Sequence, residues 1–175
     1  MESQTIHIIQ LLCGPTLRGG TGDLRQLIFD YRERTRPFTK ALFDNPVILV
    51  VDNDEGSNGK NGLFAAVKQV SKTTATVDGS EPFYHVLKNL YVVPTPKLAG
   101  GKDSMIESFL PSTVLKVKLN GKSLHLSEKG FDRHKHFGKT PLAEHVQKNR
   151  GKVDFVGYRP LLEQILFNPD HILQP

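Results

Sequence analysis

Val47-Ile48-Leu49-Val50-Val51 is the stretch that most restricts how this chain can fold. Five aliphatic side chains stand in a row, four of them β-branched, and β-branched residues favour extended backbone over helix. Successive side chains of a strand point to opposite faces, so an unbroken aliphatic run is apolar on both. Such a strand suits a sheet covered on both faces, the habit of a central parallel strand. The run stops abruptly at Asp52-Asn53-Asp54-Glu55-Gly56. Acids at i and i+2 point to the same side, here at the carboxyl edge of a sheet, where α/β proteins bind ligands.

The flanking segments alternate. Residues 5–12 read as an Ile-rich strand and residues 17–22 as a glycine-containing loop. Asp23 is placed to cap a helix over 24–34, in which Leu24, Leu27, Ile28 and Tyr31 share one face. A helix is expected over 62–71, then strands over 83–87 and 90–93 around Lys88-Asn89, and a short helix over 103–110. Asn120-Gly121 between residues 114–119 and 123–126 is a hairpin signal. Thr140 and Pro141 mark the start of a helix reaching about Lys148, and a last helix covers 161–166. The β-α-β-α opening predicts an α/β fold with a mainly parallel sheet flanked by helices, followed by a β-hairpin and C-terminal helices.

Bulk properties narrow the class. With 175 residues and no internal repeat, one domain over 1–175 is expected. Such a chain buries roughly 70% of its unfolded surface and needs no staple. Cys13 is the single cysteine, which excludes a disulfide scaffold. No apolar run approaches the roughly 20 residues of a spanning helix, so no membrane partner is expected. The start, MESQTIHIIQLL, lacks the basic n-region of a secretory signal. A lone thiol without an export signal points to a cytoplasmic protein. Lys and Arg number 23 against 18 Asp and Glu, a net +5 that admits a nucleic-acid partner.

Asp52 and Asp54 invite a cation, because two adjacent carboxylates repel. Mg²⁺ (or Mn²⁺) fits, being a hard ion that takes one or two carboxylates plus water and phosphate oxygens. The alternative is that Asp52 caps the following loop and Asp54 is solvated. An EF-hand loop begun at Asp52 fails, since its Gly and Glu positions hold Ser57 and Leu63. The phosphate loop of ATPases also fails: before Gly138-Lys139-Thr140 its first glycine would be Arg133.

Residues 131–139 gather Arg133, Lys135 and Lys139 with His134 and His136. This loop either follows a phosphate backbone, with Phe131 or Phe137 stacking on a base, or is a solvated basic loop. His134-x-His136 has no third ligand at a familiar zinc spacing. Gly19-Gly20-Thr21-Gly22 before a helix suits a phosphate or simply supplies turn geometry. Cys13 reads as a small buried thiol, and Asp103, one helical turn before Glu107, as a helix-start acid.

The aliphatic strand ending in Asp52-Asn53-Asp54 resembles the D-x-D motif of the Toprim domain of topoisomerases, primases and overcoming-lysogenisation-defect nucleases. With Leu17-Arg18-Gly19-Gly20-Thr21-Gly22-Asp23-Leu24, Ile106-Glu107 and Phe137-Gly138-Lys139-Thr140-Pro141-Leu142-Ala143, nearly the whole chain resembles the C-terminal Toprim nuclease region of retron RNA-directed DNA polymerases. The resemblance implies a Mg²⁺-dependent nuclease acting in anti-phage defence. It assigns Asp52 and Asp54 to metal, Glu107 to metal and catalysis, and Lys139 to charge on the scissile phosphate. Arg133, Lys135 and His136 are expected to contact nucleic acid. Partners implied are DNA or RNA, the retron non-coding RNA/DNA and the reverse transcriptase part.

Toprim domains open with a strand ending in Glu-Gly, and none precedes the D-x-D here; Glu2 lies ahead of the first expected strand. The polymerase's Tyr-x-Asp-Asp signature is also missing. The expectation is therefore a piece of the fusion, truncated at its N-terminus and not a reverse transcriptase by itself. The rival is an inactive nucleic-acid-binding or complex-forming remnant of that fusion.

Overall fold

The structure is a computed structural model and describes residues 21–38, 46–127 and 129–166. The expected strand over 5–12, together with Glu2, Cys13, Gly19 and Gly20, lies outside the described residues. The chain is a mixed α/β protein that gathers into two compact units. Among the described residues, the first contains those up to Ile106 and those from Pro160 onward; the second lies within Glu107–Arg159.

In the first unit, α1 (Thr21–Thr35) buries Ile28 and Tyr31, with Leu24 and Leu27 packed against the same core. The apolar stripe is the expected one. Asp23 lies inside the first turn and does not cap the helix, because the helical backbone already begins at Thr21. After α1 come β1 (Val47–Val51), α2 (Glu55–Asn58), α3 (Leu63–Ser71), β2 (Tyr84–Leu87) and β3 (Leu90–Pro94).

The strand order is β1-β3-β2. β1 runs parallel to β3, with Leu49 opposite Val92, and β2 runs antiparallel to β3. The sheet is mixed because β2 and β3 are joined by Lys88-Asn89 alone, and a two-residue link can only join antiparallel strands. Among the described residues the central strand is β3, whose five residues are all buried. The sequence had suggested β1, but β1 alternates buried with half-buried residues. An aliphatic run reports that both faces are apolar and says nothing about how many neighbours the strand has.

Val47, Leu49 and Val51 join Val86, Leu90 and Val92 on the face covered by α1 and α3. The hairpin turn is tied to the end of α1. Tyr31 donates its hydroxyl hydrogen to Asn89 Oδ1 at 2.5 Å, and Lys88 Nζ donates to the carbonyls of Thr35 and Phe38. A cation there also suits the negative end of the helix dipole.

In the second unit, a 3₁₀ turn ending at Phe109 precedes α4 (Ser112–Leu115), β4 (Lys118–Leu119), β5 (Lys122–Leu124), β6 (His136–Phe137) and α5 (Lys139–Lys148). The turn, Ile106–Phe109, is all that forms of the helix expected over 103–110. Asp103 stays outside it and bonds Lys97 at 2.8 Å. Val114 and Leu115, expected in a strand, are helical; the hairpin keeps only β4 and β5. Its turn has Asn120 at φ 52° and Gly121 at φ 77°, the type I′ geometry that Asn-Gly favours. β6 adds parallel to β5, so this sheet is mixed too. Gly138, not Thr140, is the N-cap of α5, leaving Pro141 in the first turn where no N–H is required. Leu110, Val114, Phe137 and Leu142 form this unit's core. A second 3₁₀ turn (Val156–Tyr158) leads to α6 (Arg159–Leu166), which starts two residues earlier than expected.

Gly79 is the glycine the first unit can least spare. Its φ is 81°, and a Cβ there would stand 2.2 Å from Asn53 Oδ1. Gly79→Ala is expected to lower stability by roughly 2–3 kcal/mol. Urea unfolding followed by circular dichroism measures it; an unchanged midpoint would show that the contact is slack.

Candidate functional site

At the carboxyl end of β1 the three residues of the D-x-D stretch play three different parts. Asn53 is fully buried, and the acids on either side are half-buried. The Asn53 backbone N–H donates to Ser104 O at 2.9 Å and to Thr95 Oγ1 at 3.0 Å. Its side-chain Nδ2 donates to Gly79 O at 2.7 Å and Thr95 O at 3.1 Å. Thr95 and Ser104 hydroxyls meet at 2.6 Å. The result is a buried polar knot that joins β1 to the residues after β3 and to the loop before β2.

The flanking carboxylates both receive backbone N–H groups. Asp52 Oδ1 accepts from Ile106 N at 2.8 Å. Asp54 Oδ1 accepts from Ser57 N at 2.9 Å and is the N-cap of α2. Such bonds give each acid a local role without any metal. The donor set still suits Mg²⁺, which needs only one or two carboxylates from the protein. Within each unit, among the described residues, no three His, Cys, Asp or Glu side chains gather as a metal-binding group.

Glu107 and Lys139 both lie in the second unit, and the fold brings them together. Lys139 Nζ stands 3.1 Å from Glu107 Oε2. The Glu107 side chain is only 12% exposed, while that of Lys139 is about half exposed. Oε2 makes no aligned hydrogen bond, so the pairing is one of charge. Tyr158 is nearby. Burial raises its hydroxyl pKa above the ordinary value, and the negative charge of Glu107 raises it further. Tyr158 was not singled out in the sequence, where nothing distinguishes it from a core aromatic.

The basic loop divides into different fates. Phe137 is buried in the core, so of the two candidate stacking rings only Phe131 is presented, 39% exposed. Lys135 points to Asp132 at 3.5 Å and is 77% exposed, a weak pairing. His136 Nδ1 accepts the backbone N–H of Asp132 at 3.0 Å, which leaves Nε2 as the ring's donor when neutral. Arg133 and His136 line a pocket of about 330 Å³ with Lys122, Phe131, Gly138 and Pro141. Lys122 was missed in the sequence; its place just after the Asn-Gly turn was the available signal.

Charge is divided unevenly between the units. Glu107–Arg159 holds 11 Lys and Arg against five Asp and Glu, a net +6. The whole chain is +5, so everything outside that unit sums to −1. Among the described residues no helix is long and apolar enough to cross a membrane. No protein-family model matches the chain, and no solved structure matches it significantly.

The sign of the Tyr158 shift sets an alkaline prediction. A raised folded-state pKa contributes stability that is complete below the unfolded value, about 10, and is lost as pH rises through the folded value. Tyr31 and Tyr91 shift the same way through burial. The urea midpoint should therefore fall as pH rises above about 10, and Tyr158→Phe should fall less steeply. Equal slopes would remove Tyr158 from the account.

Proposed function

We propose that this chain is the Toprim-like nuclease region of a retron reverse transcriptase fusion, a Mg²⁺-dependent phosphodiesterase serving anti-phage defence in the intact protein. The observation that carries the reading is the pair Asp52 and Asp54 at the carboxyl end of β1, a strand paired in parallel with β3. Both acids are partly accessible and held in place by backbone donors. A Toprim-like arrangement of the sheet and a cytoplasmic setting belong to the same proposal.

Asp52 and Asp54 would hold the cation, and the resemblance to Toprim nucleases gives Glu107 a part in metal binding and catalysis. Bound Mg²⁺ would supply charge neutralisation and a more acidic water. Lys139 offers a positive charge at the first residue of α5. Its ammonium is about half exposed and pairs with the mostly buried Glu107. Arg133, Lys135 and His136 extend positive and hydrogen-bonding surface from the same unit. DNA or RNA is the substrate, and the retron non-coding RNA/DNA and the reverse transcriptase part are the partners.

The capping bonds of Asp52 and Asp54 favour a second reading, a non-catalytic nucleic-acid-binding remnant, because they explain both acids without metal.

Nicking of supercoiled plasmid separates the two. Asp52→Asn keeps an acceptor for Ile106 N–H, and Asp54→Ser keeps an N-cap, while each removes a carboxylate. Under the nuclease reading, nicking requires Mg²⁺ or Mn²⁺ and drops roughly hundredfold or more in either variant, with stability nearly unchanged. No nicking by the unaltered chain, with DNA binding indifferent to Asp52→Asn, would establish the remnant.

A further inference from the structure

The pocket beside β6 combines an exposed aromatic face, two cations and a helix start in one concavity of the second unit. Phe131 lies tilted against His136, ring centroids 5.9 Å apart, and His136 is stacked on His125 at 4.6 Å and 12°. The three rings hold one another in place. One face of His136 is covered by His125, so the aromatic surface offered outward is chiefly that of Phe131. Base-sized rings gain about 1–3 kcal/mol by stacking on such a face, whatever the base.

The polar side of the pocket suits a phosphate. Arg133 is exposed, and among the described residues no ion pair neutralises Arg133 or Lys122. Lys122 is fixed by donating from Nζ to Arg133 O at 2.7 Å, which keeps the two cations together. Gly138 contributes the N-cap of the ten-residue α5 and has no side chain to satisfy the helix's first N–H groups. The volume of about 330 Å³ is at the small end of ligand pockets, enough for one nucleotide. A duplex covers its base faces with neighbouring bases and offers this pocket only phosphate.

We infer that the second unit selects single-stranded nucleic acid, seating one unpaired base on Phe131 with its phosphate between Arg133 and Lys122. The inference rests on the reading of the chain as a protein that acts on nucleic acid. It is independent of cleavage.

The test uses the full chain carrying Asp52→Asn, in EDTA, with fluorescence anisotropy of labelled oligothymidine, oligouridine and a blunt duplex of equal length. Single strands should bind more tightly than duplex. Phe131→Ala should weaken single-strand binding at least about fivefold and leave duplex binding within about twofold. Phe131→Tyr, which keeps the ring, should restore affinity. Arg133→Gln should weaken both and reduce the salt slope by about one. Tighter duplex binding, indifference to Phe131→Ala, or no binding to any oligonucleotide would overturn the inference. Persistent Mg²⁺-dependent nicking alongside such a failure would spare the nuclease reading. Single-strand selectivity without any nicking would do the reverse.

Discussion

The buried amide of Asn53 is the constraint on which the first unit turns. A fully buried polar side chain costs several kcal/mol if its hydrogen bonds are left unmade. Here the amide and backbone of one residue engage Gly79, Thr95 and Ser104, three segments far apart in sequence. Because those bonds must be made, the end of β1 cannot shift in register. Gly79 is glycine for the same reason, since any side chain would occupy the space of the amide. The two acids beside Asn53 inherit their positions from it. Their bonds to Ile106 and Ser57 follow from a backbone already held.

The second unit is organised around a different force. It has a smaller core, built on Phe137 and Leu142, and carries a net +6. Several of its charges are locally matched: Lys139 by Glu107 and Lys135 by Asp132. Those around the pocket are not matched by any ion pair among the described residues. Phe137 and His136 are adjacent in β6 and differ in burial: Phe137 packs into the core, His136 is half-buried, and both border the pocket.

Much of the local structure was legible. The stripe of Ile28 and Tyr31, the strand Val47–Val51, the helix Leu63–Ser71 and the Asn120-Gly121 turn each carry their own physical signal, in periodicity, branching or left-handed backbone. Boundaries were less legible. Thr140 lost the N-cap position to Gly138, and Val114 went into a helical turn, because caps and short turns depend on neighbours as much as on propensity. Mixed pairing of the first sheet was implicit in the two-residue link at Lys88-Asn89, which only antiparallel strands can accept.

Sequence alone determined the chemistry available: two carboxylates after an apolar strand, a basic aromatic loop, and a single thiol. It also determined which stretches are apolar on both faces. The tertiary structure decided which residues meet. It paired Glu107 with Lys139 across 31 intervening positions, set Lys122 beside Arg133 and Phe131, and buried Phe137 in place of presenting it. It also placed Asn53, not the acids, at the buried centre of its motif. The reason is that side-chain type and spacing act locally, whereas burial and pairing depend on how distant segments are brought to share one space.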